Sequence, residues 1–542
     1  MILGAGLMQK PAILAAKELG YQTVVADGNP NAICASLADC FVHIDLKDKE
    51  KLADFAKKIN SSEDGSQLAA VFTAGTDFSA NAAYVASSCG LKSHSYESCL
   101  NASDKVRMRS CFKKYGIPSP DFQQVDSLQL ENLLKNSDKI SFPKVIKPVD
   151  NMGGRGCRLV RNKDELEFSA KSAVASSRSS RAIFENYMDG AEFSIDAIVY
   201  EGTLTITGFA DRHIFFPPYF IETGHTMPTV ANSKIKNELI AAFALGIKSL
   251  GLTHGVAKAD IKYTKDGPMI GEIAARLSGG YMSGWTFPYS SGLNLTKQAL
   301  LVALGKEPSN LLSMRKPLLW QPHKNQSNFE PPFKLFEVPS VKVSAERAWI
   351  SIPGKIKSIY GLSEAENSPC IKNLFSRAKE GDTVNFPRNN VEKCGNVISC
   401  DTDYNKAVSC ACSSVSKITI RLKENSPITE EFLFEKRLPY EEGFPPCAFC
   451  YSDGTVVDFF EELNNSQIPD ILENQCAQNF IPNFLKEKAA SLIDWNHLSF
   501  IDAVKRFDKI AQNHKKLDGK KFWHAALSGS IQGMLYVCDS IS

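Results

Sequence analysis

The stretch GVAKADIKYTKDGPMIGEIAARLSGG, residues 255–280, contains two apolar segments joined by the triplet KDG. The triplet predicts a β-hairpin with a three-residue turn whose glycine is left-handed. That register sets Thr264 opposite Pro268, and Asp260 opposite Glu272 on the same face. A two-residue turn would instead put the two acids on opposite faces of the hairpin.

The acids are the unusual feature of this hairpin. Like charges directly opposite each other destabilise a sheet, so a cation between Asp260 and Glu272 is expected. Two carboxylates with water and phosphate oxygens are a common way for proteins to hold Mg²⁺ or Mn²⁺. Strand alternation places Ala274 and Arg276 on the same face as Glu272.

A second motif is KVIKPVDNMGGRG, residues 144–156, in which a strand carrying Lys147 leads into a glycine loop. Gly153, Gly154 and Gly156 allow backbone N–H groups to approach phosphate oxygens closely, and the lysine adds a charge. The loop is followed by a further strand, not by the helix of a Walker motif, so it is expected to act as a lid.

Residues 1 to about 100 alternate between strands and helices, which predicts a parallel sheet with crossover helices in an α/β protein. The segment LAAVFTAG, residues 68–75, is expected to be a strand. GAGLMQ has Gln9 at the third position of the dinucleotide fingerprint, although Asp27 stands where a ribose-binding acid would be. A tight turn in a Rossmann-like domain is therefore favoured over NAD binding. The first strand is short, which leaves open a true start upstream.

The 542 residues carry a net charge of +2, which gives no sign of a nucleic-acid or membrane partner. No segment predicts a membrane span or a secretion signal. Fifteen scattered cysteines favour reduced thiols and a cytoplasmic location. Cys447 and Cys450 form a lone CxxC, which is a weak indication of metal or redox chemistry.

Taken in order, several motifs resemble those of the ATP-grasp superfamily. They are the Asp-Lys helix SDKVRMRSCFKKYGIPSPDF (103–122), the Lys-Pro strand and lid FPKVIKPVDNMGGRGC (142–157), the adenine hinge IFENYMDGAEFSID (183–196) and the metal hairpin ADIKYTKDGPMIGEIAARLSGG (259–280). Three further segments are similar to amino-acid (dipeptide) ligases and other carboxylate–amine ligases: residues 3–30, 221–229 and 353–361.

The resemblance implies a role for each matching residue. Those roles are ATP phosphate contact for Lys105 and Lys147, lid closure for Gly153, Gly154 and Gly156, adenine contact for Glu185 with the hinge Tyr187 and Met188, ribose contact for Glu192, metal binding for Asp260 and Glu272, stabilisation of the transferred phosphoryl group for Arg276, and substrate contact for His225, Ser278, Gly279 and Gly280. The implied catalytic residues are Arg276 and Lys147.

The resemblance also implies a domain order. We expect a Rossmann-like pre-ATP-grasp domain (1–100), a lid subdomain with its linking helix (101–182), a central subdomain with the metal hairpin (183–310), a β-rich domain (311–425) and an accessory domain of unknown role (426–542). A homodimer is left open.

The implied activity is an ADP-forming ligation of a small carboxylate, such as an amino acid, to an amine. ATP would phosphorylate the carboxylate, and the resulting acyl phosphate would react with the amine. No protein nucleophile is required. The alternatives are carbamoyl-phosphate or biotin-carboxylase-like carboxylation, and non-catalytic ATP binding.

The chain departs from the family pattern at one position. The family usually has Glu-x-Asn-x-Arg, in which the Asn is a further metal ligand, whereas Ala274 stands at that position here. One metal would then be held by two carboxylates and water, or a neighbouring group would reach in.

Overall fold

The computed structural model describes residues 1–63, 65–435, 447–449, 459–472, 477–511 and 516–541. The chain forms two compact units. Unit 1 comprises Met1–Arg212 and His225–Ser344, and unit 2 comprises His213–Gly224 and Ala345–Ser542. Both units contain helices and strands, which confirms the predicted α/β class.

The described residues up to 340 form fourteen strands. The strands are β1 Ile2–Leu3, β2 Val24–Asp27, β3 Cys40–His43, β4 Phe122–Val125, β5 Lys144–Pro148, β6 Arg158–Val160, β7 Ala182–Asn186, β8 Ala191–Tyr200, β9 Thr203–Phe215, β10 Ile221–Met227, β11 Gly255–Thr264, β12 Gly267–Ala274, β13 Lys316–Pro317 and β14 Lys334–Glu337. The helices are α1 Lys10–Glu18, α2 Lys49–Asn60, α3 Ser79–Ser88, α4 Tyr96–Ser103, α5 Lys105–Tyr115, α6 Ser127–Lys135, α7 Leu166–Ser176, α8 Ser233–Leu250, α9 Phe287–Ser291, α10 Leu295–Ala303 and α11 Ser309–Met314.

The N-terminal sheet has the order β1–β2–β3 and its strands are parallel. The expected continuous strand over residues 68–75 is not formed. Isolated parallel bridges join Phe72 to Ile2 and Ala74 to Leu277 instead. Each bridge is a single residue pair, so residues 68–75 do not form a continuous row of hydrogen bonds with a neighbouring strand.

A second, antiparallel sheet has the order β4–β7–β5–β6. The glycine loop lies between β5 and β6, as the sequence predicts. The Asp126 side chain accepts hydrogen bonds from the backbone N–H groups of Leu128 and Gln129, which starts α6. Val125, Ile146 and the other apolar side chains of this sheet pack on α6 and α7 as a separate small core.

The central sheet of unit 1 runs in the order β12–β11–β8–β9. Helix α8 covers one face of it, and the two share one apolar core. Asn232 caps the N-terminus of this helix, and the left-handed Gly251 ends it. Gly246 of α8 has no room for a side chain: a Cβ there would lie 2.5 Å from the Ile273 side chain. The opposite face of the sheet carries charged side chains.

The β11–β12 hairpin is present, but its turn differs from the prediction. Thr264 pairs with Gly267, and Pro268 pairs with Tyr263. The turn therefore has two residues instead of three, and the predicted pairing of Thr264 with Pro268 is wrong. Gly267 does adopt a positive φ of 102°.

Asp260 nevertheless lies opposite Glu272, as predicted. A β-bulge explains this, because Ile261 pairs with Ile270 and leaves Gly271 as an extra residue on β12. One extra residue reverses the change of face that a two-residue turn would otherwise cause.

Arg109 of α5 stabilises the bulge. Its Nη2 donates a hydrogen bond of 2.7 Å to the Gly271 carbonyl oxygen. Its Nε lies 2.7 Å from Oε1 of Glu185, at the end of β7. The guanidinium is fully buried, so a single side chain joins the β11–β12 hairpin to a strand of the second sheet.

Unit 2, with the last two residues of unit 1, contains the remaining strands and helices of the described residues. Its strands are β15 Val343–Trp349, β16 Gly354–Tyr360, β17 Ile371–Ser376, β18 Thr383–Val384, β19 Gly395–Asp401, β20 Thr419–Leu422, β21 Ile471–Leu472 and β22 Leu517–Asp518. Its helices are α12 Leu362–Glu366, α13 Tyr404–Lys417, α14 Pro427–Phe434, α15 Phe459–Asn465, α16 Asn483–Lys486, α17 Phe500–Ile510 and α18 Gly519–Ser540.

Segments far apart in sequence share one core in unit 2. Trp349 of β15 packs in the same cluster as Trp495 and Trp523. Phe386 contacts Trp495 edge to face, and their ring centres are 5.1 Å apart. Helix α18 is interrupted at Ser530, which has a φ of 50°.

Two further sequence expectations concern individual segments. No helix in the described ranges is long and apolar enough to cross a membrane. Cys450 lies outside the described residues, so the Cys447–Cys450 pair is not described.

Replacing Arg109 with Met should destabilise the protein strongly, because it leaves the Gly271 carbonyl and one Glu185 oxygen without their cationic partner. Removing one member of a buried ion pair costs about 3–5 kcal/mol. We expect the melting midpoint to fall by roughly 6 °C or more, measured by thermal unfolding.

Arg107→Met is the matched control on the same helix, since Arg107 is 41% exposed, forms an ion pair with exposed Glu97 and donates a further hydrogen bond to Asn101. Such a surface pair contributes about 0–1 kcal/mol. Equal melting midpoints for the two variants would show that Arg109 does not stabilise the bulge.

Candidate active site

Three adjacent strands present charged side chains on one face of the central sheet. Asp260 of β11 lies between Glu272 of β12 and Ser194 of β8 in the register. One row further along, Lys258 lies between Ala274 and Asp196. Alternation along the strands therefore brings both rows to the same face.

Cations compensate the facing carboxylates. The Lys258 Nζ lies 2.5 Å from Oδ2 of Asp260, and an Arg212 Nη1 lies 3.2 Å from its Oδ1. Lys105 Nζ lies 3.9 Å from Oε2 of Glu272. Asp260 and Glu272 are 17% and 24% exposed, so their oxygens can still reach solvent.

This donor set fits a hard divalent cation. Two facing carboxylates supply charged oxygens, and their partial exposure leaves room for water and phosphate ligands. Among the described residues, no group of three or more His, Cys, Asp and Glu side chains gathers as a metal site. Ala274, 5% exposed, adds no donor. The site thus offers two protein ligands.

Lys147 lies at the buried end of β5. Its Nζ lies 2.7 Å from Oε2 of Glu185, whose other oxygen contacts Arg109. Burial raises the pKa of Glu185, but the charges of Arg109 and Lys147 outweigh it and the pKa is lowered. The structure therefore places Glu185 in an ionised cluster beside Lys147.

The glycine loop folds back toward the start of α5. Gly153, Gly154 and Gly156 all have positive φ, at 68°, 76° and 69°. Lys105 Nζ donates a hydrogen bond of 3.1 Å to the Asn151 carbonyl, and its backbone N–H donates to the Val149 carbonyl. Lys105 is thereby held beside both the loop and Glu272.

Tyr187 lies near a cation that contacts Glu192. An Arg212 Nη1 contacts one Glu192 oxygen, and Lys262 Nζ lies 3.3 Å from the other. The Lys262 ammonium also lies 5.3 Å from the centre of the Tyr187 ring. Met188 approaches the bulge, since a Cβ on Gly271 would be 3.5 Å from its terminal methyl carbon.

Arg276 is buried just beyond the end of β12 and is held by Asp77. Its Nε and Nη2 donate to the same Asp77 oxygen at 3.0 and 2.9 Å. Burial raises the pKa of Asp77, but Arg276 and Lys105 outweigh it and the pKa is lowered. Burial lowers the pKa of Arg276, and Asp77 and Glu272 more than compensate, so it is raised. The Arg276 charge is therefore fixed in position.

Ser278 contacts a buried acid instead of solvent. Its backbone N–H and its hydroxyl donate to the two oxygens of Asp196. Burial raises the pKa of Asp196 to about 6, although Ser278 partly offsets the effect. Gly279 packs close to Gly75, and Gly280 has a φ of 60°.

His225 is wholly buried within β10, and Glu185, Arg276 and Ser278 are buried as well. The structure thus brings most predicted residues into one charged region of unit 1. It also adds side chains that the sequence analysis did not identify: Asp77, Arg109, Asp196, Arg212, Lys258 and Lys262.

Some of these residues have a signal in the sequence. Lys258 and Lys262 stand two residues before and after Asp260 on β11. Strand alternation therefore places both lysines on the face of Asp260. Asp196 is an acid within the apolar run FSIDAIVY. Asp77 and Arg109 depend on contacts distant in sequence and carry no such pattern.

Three family models match separate parts of the chain. Residues 140–284 match the ATP-grasp domain, residues 1–62 match the ribonucleotide synthetase preATP-grasp domain, and residues 348–423 match the L-amino acid ligase C-terminal domain 2. These matches confirm the resemblance to ATP-grasp proteins and the pre-ATP-grasp region at the N-terminus.

Individual relatives agree. Human (Homo sapiens) carnosine synthase 1 is 24% identical over 332 residues, which cover 57% of this chain and 40% of that protein. The chain therefore spans less than half the length of that curated relative.

Solved structures share the fold. The L-amino acid ligase from Bacillus licheniformis has a TM-score of 0.63 at 18% identity, covering 78% of this chain and 98% of that one. Phosphoribosylglycinamide synthetase from Anaerococcus prevotii has a TM-score of 0.56 at 21% identity, covering 78% and 98%. The chain therefore shares the fold of these proteins, and its residues 140–284 match the ATP-grasp domain, with a preATP-grasp match before it and an L-amino acid ligase domain match after it.

Proposed function

We propose that this protein is an ADP-forming ligase that joins the carboxylate of an amino acid, or a similar small acid, to an amine. The observation that carries this proposal is the Asp260–Glu272 pair, which lies within the matched ATP-grasp domain and has Lys105 beside it. The L-amino acid ligase match and the carnosine synthase relative support an amino-acid substrate.

Charge compensation explains why ATP suits this site. The lysines and arginines here are now paired with carboxylates, and triphosphate oxygens offer the same cations additional negative partners. Lys105 and Lys147 would contact the phosphates, while Glu192 would accept hydrogen bonds from the ribose hydroxyls. Glu185, Tyr187 and Met188 would lie along the adenine.

Asp260 and Glu272 would hold Mg²⁺, or Mn²⁺ in its place. The ion, when bound, would neutralise phosphate charge and orient the γ-phosphoryl group for transfer. The partly exposed carboxylates fit this role, because an Mg²⁺ site usually keeps several waters.

Arg276 would stabilise the phosphoryl group as it passes to the substrate carboxylate. Asp77 holds the guanidinium by two hydrogen bonds, so little reorganisation would be needed during transfer. Ser278, Gly279 and Gly280 would lie beside the acyl group, and His225 would support this region from within β10.

The reaction would proceed through an acyl phosphate. ATP loses its γ-phosphoryl group to the carboxylate, and the amine then displaces phosphate to form the amide. Water would hydrolyse the intermediate, so the loop with Gly153, Gly154 and Gly156 would close over the site as a lid.

We also propose the domain bounds given above, which are 1–100, 101–182, 183–310, 311–425 and 426–542. The free cysteines among the described residues support a reducing, cytoplasmic location. The homodimer remains part of the same proposal.

ADP release should depend on an amine and a carboxylate together, measured by a coupled assay over an amino-acid panel with Mg²⁺ and ATP. Glu272→Ala removes a metal ligand, so we expect a loss beyond the roughly 100-fold that removal of an outer-shell partner can cause. Asp266→Ala, an exposed acid in the turn of the same hairpin, is the control and should keep its activity.

Other results would point elsewhere. Normal turnover in Glu272→Ala would contradict the metal assignment. No ADP from any pair would favour non-catalytic nucleotide binding, and release that requires bicarbonate would favour carboxylation.

Asp77→Asn should lower kcat about 10- to 100-fold with a smaller change in the KM for ATP, because Arg276 would lose its orienting partner. Steady-state kinetics would measure both constants. Asp54→Asn, an exposed acid on α2, is the matched control. If the kcat of Asp77→Asn stays within twofold of the control, Asp77 does not position Arg276.

A further inference from the structure

Lys258 occupies a central place on the charged face. It lies directly opposite Ala274 on β12 and Asp196 on β8, one row from the two facing acids. Side chains directly opposite in such a ladder have Cβ atoms roughly 5 Å apart. The side chain of Lys258 and the side chain of residue 274 therefore lie next to each other and compete for the same volume.

The contacts of Lys258 aim its charge at the metal region. Its Nζ lies 2.5 Å from Oδ2 of Asp260, and the residue is only 7% exposed. A buried ammonium is costly unless it is paired. The ion pair with Asp260 therefore fixes the position of the Lys258 ammonium. The other oxygen of Asp260, Oδ1, lies 3.2 Å from an Arg212 Nη1.

A second divalent cation at this place would be poorly held. Ala274 ends at Cβ and offers no oxygen, and Asp196 already accepts two hydrogen bonds from Ser278. Among the described residues no third carboxylate, histidine or cysteine completes a group with Asp260 and Glu272. A cation bound beside Oδ2 of Asp260 would also be repelled by the Lys258 ammonium.

We propose that the Lys258 ammonium takes the place of a second divalent cation, so that the site binds one Mg²⁺ with each ATP. This inference rests on the proposed function, since it assumes that ATP binds over the β11–β12 hairpin. The small Ala274 then leaves room for the lysine stem. The pair Lys258 and Ala274 thereby supplies a fixed positive charge that does not depend on the concentration of free metal.

The roles of the two charges differ. Mg²⁺ between Asp260 and Glu272 can exchange ligands with phosphate, whereas the Lys258 charge remains attached to the strand. Nucleotide binding should therefore require one metal ion, and additional free Mg²⁺ should add no further affinity.

Counting bound metal tests the proposal directly. Mn²⁺ is titrated into the full-length protein with a saturating, non-hydrolysable ATP analogue, and free Mn²⁺ is followed by electron paramagnetic resonance. We expect one bound Mn²⁺ for each wild-type chain. The double variant Lys258→Ala/Ala274→Asn should bind two, because it removes the ammonium and adds an amide oxygen.

Single variants separate the two causes. Ala274→Asn alone should still bind one Mn²⁺, since the ammonium remains. Lys258→Met keeps the stem and removes only the charge, so it should bind a second Mn²⁺ more weakly than the double variant. It also serves if the double variant does not fold. Lys265→Ala, an exposed lysine in the turn of the same hairpin, is the control and should bind one.

The outcomes distinguish this inference from the proposed function. Two Mn²⁺ ions in the wild-type protein with nucleotide bound would overturn the role of Lys258 and leave the ligase proposal intact. One Mn²⁺ in both Lys258→Met and the double variant would also overturn it. Failure of the analogue to bind the wild-type protein would overturn both.

Discussion

The repulsion between Asp260 and Glu272 is the constraint on which the rest of the site depends. Two unit charges roughly 5 Å apart repel by about 3 kcal/mol at an effective dielectric constant near 20. The fold offsets this cost with Lys258, Arg212 and Lys105, each supplied by a different element. A cation held between the acids would offset it further, which is why the pair suits a metal ion.

Further ion pairs surround the two acids. Arg212 contacts both Asp260 and Glu192, so the proposed metal and ribose positions share one cation. Arg109 links the bulge at Gly271 to Glu185, which pairs with Lys147. These pairs place Lys147, a proposed phosphate contact, beside a carboxylate, so that the charge of an incoming nucleotide would meet cations already held in position.

The sequence predicted the hairpin and the facing acids, but one step of the prediction was wrong. The turn has two residues, and only the bulge at Gly271 returns Glu272 to the face of Asp260. A bulge depends on what packs against it, here Arg109, and that contact spans 162 residues. Local pattern therefore identified the strands and motifs, whereas Asp77 and Arg109 required the tertiary structure. Lys258 was visible in the alternation of β11, yet its importance appears only beside Ala274.

The central claim is that ATP phosphorylates a substrate carboxylate at this face of the sheet. An accepted acid from the amino-acid panel, labelled with ¹⁸O in its carboxylate, tests this most directly. Amide formation through an acyl phosphate transfers one labelled oxygen to the inorganic phosphate, which mass spectrometry would detect. Labelled phosphate, formed with ADP, is the result that we predict. Unlabelled phosphate from an active enzyme would contradict the account.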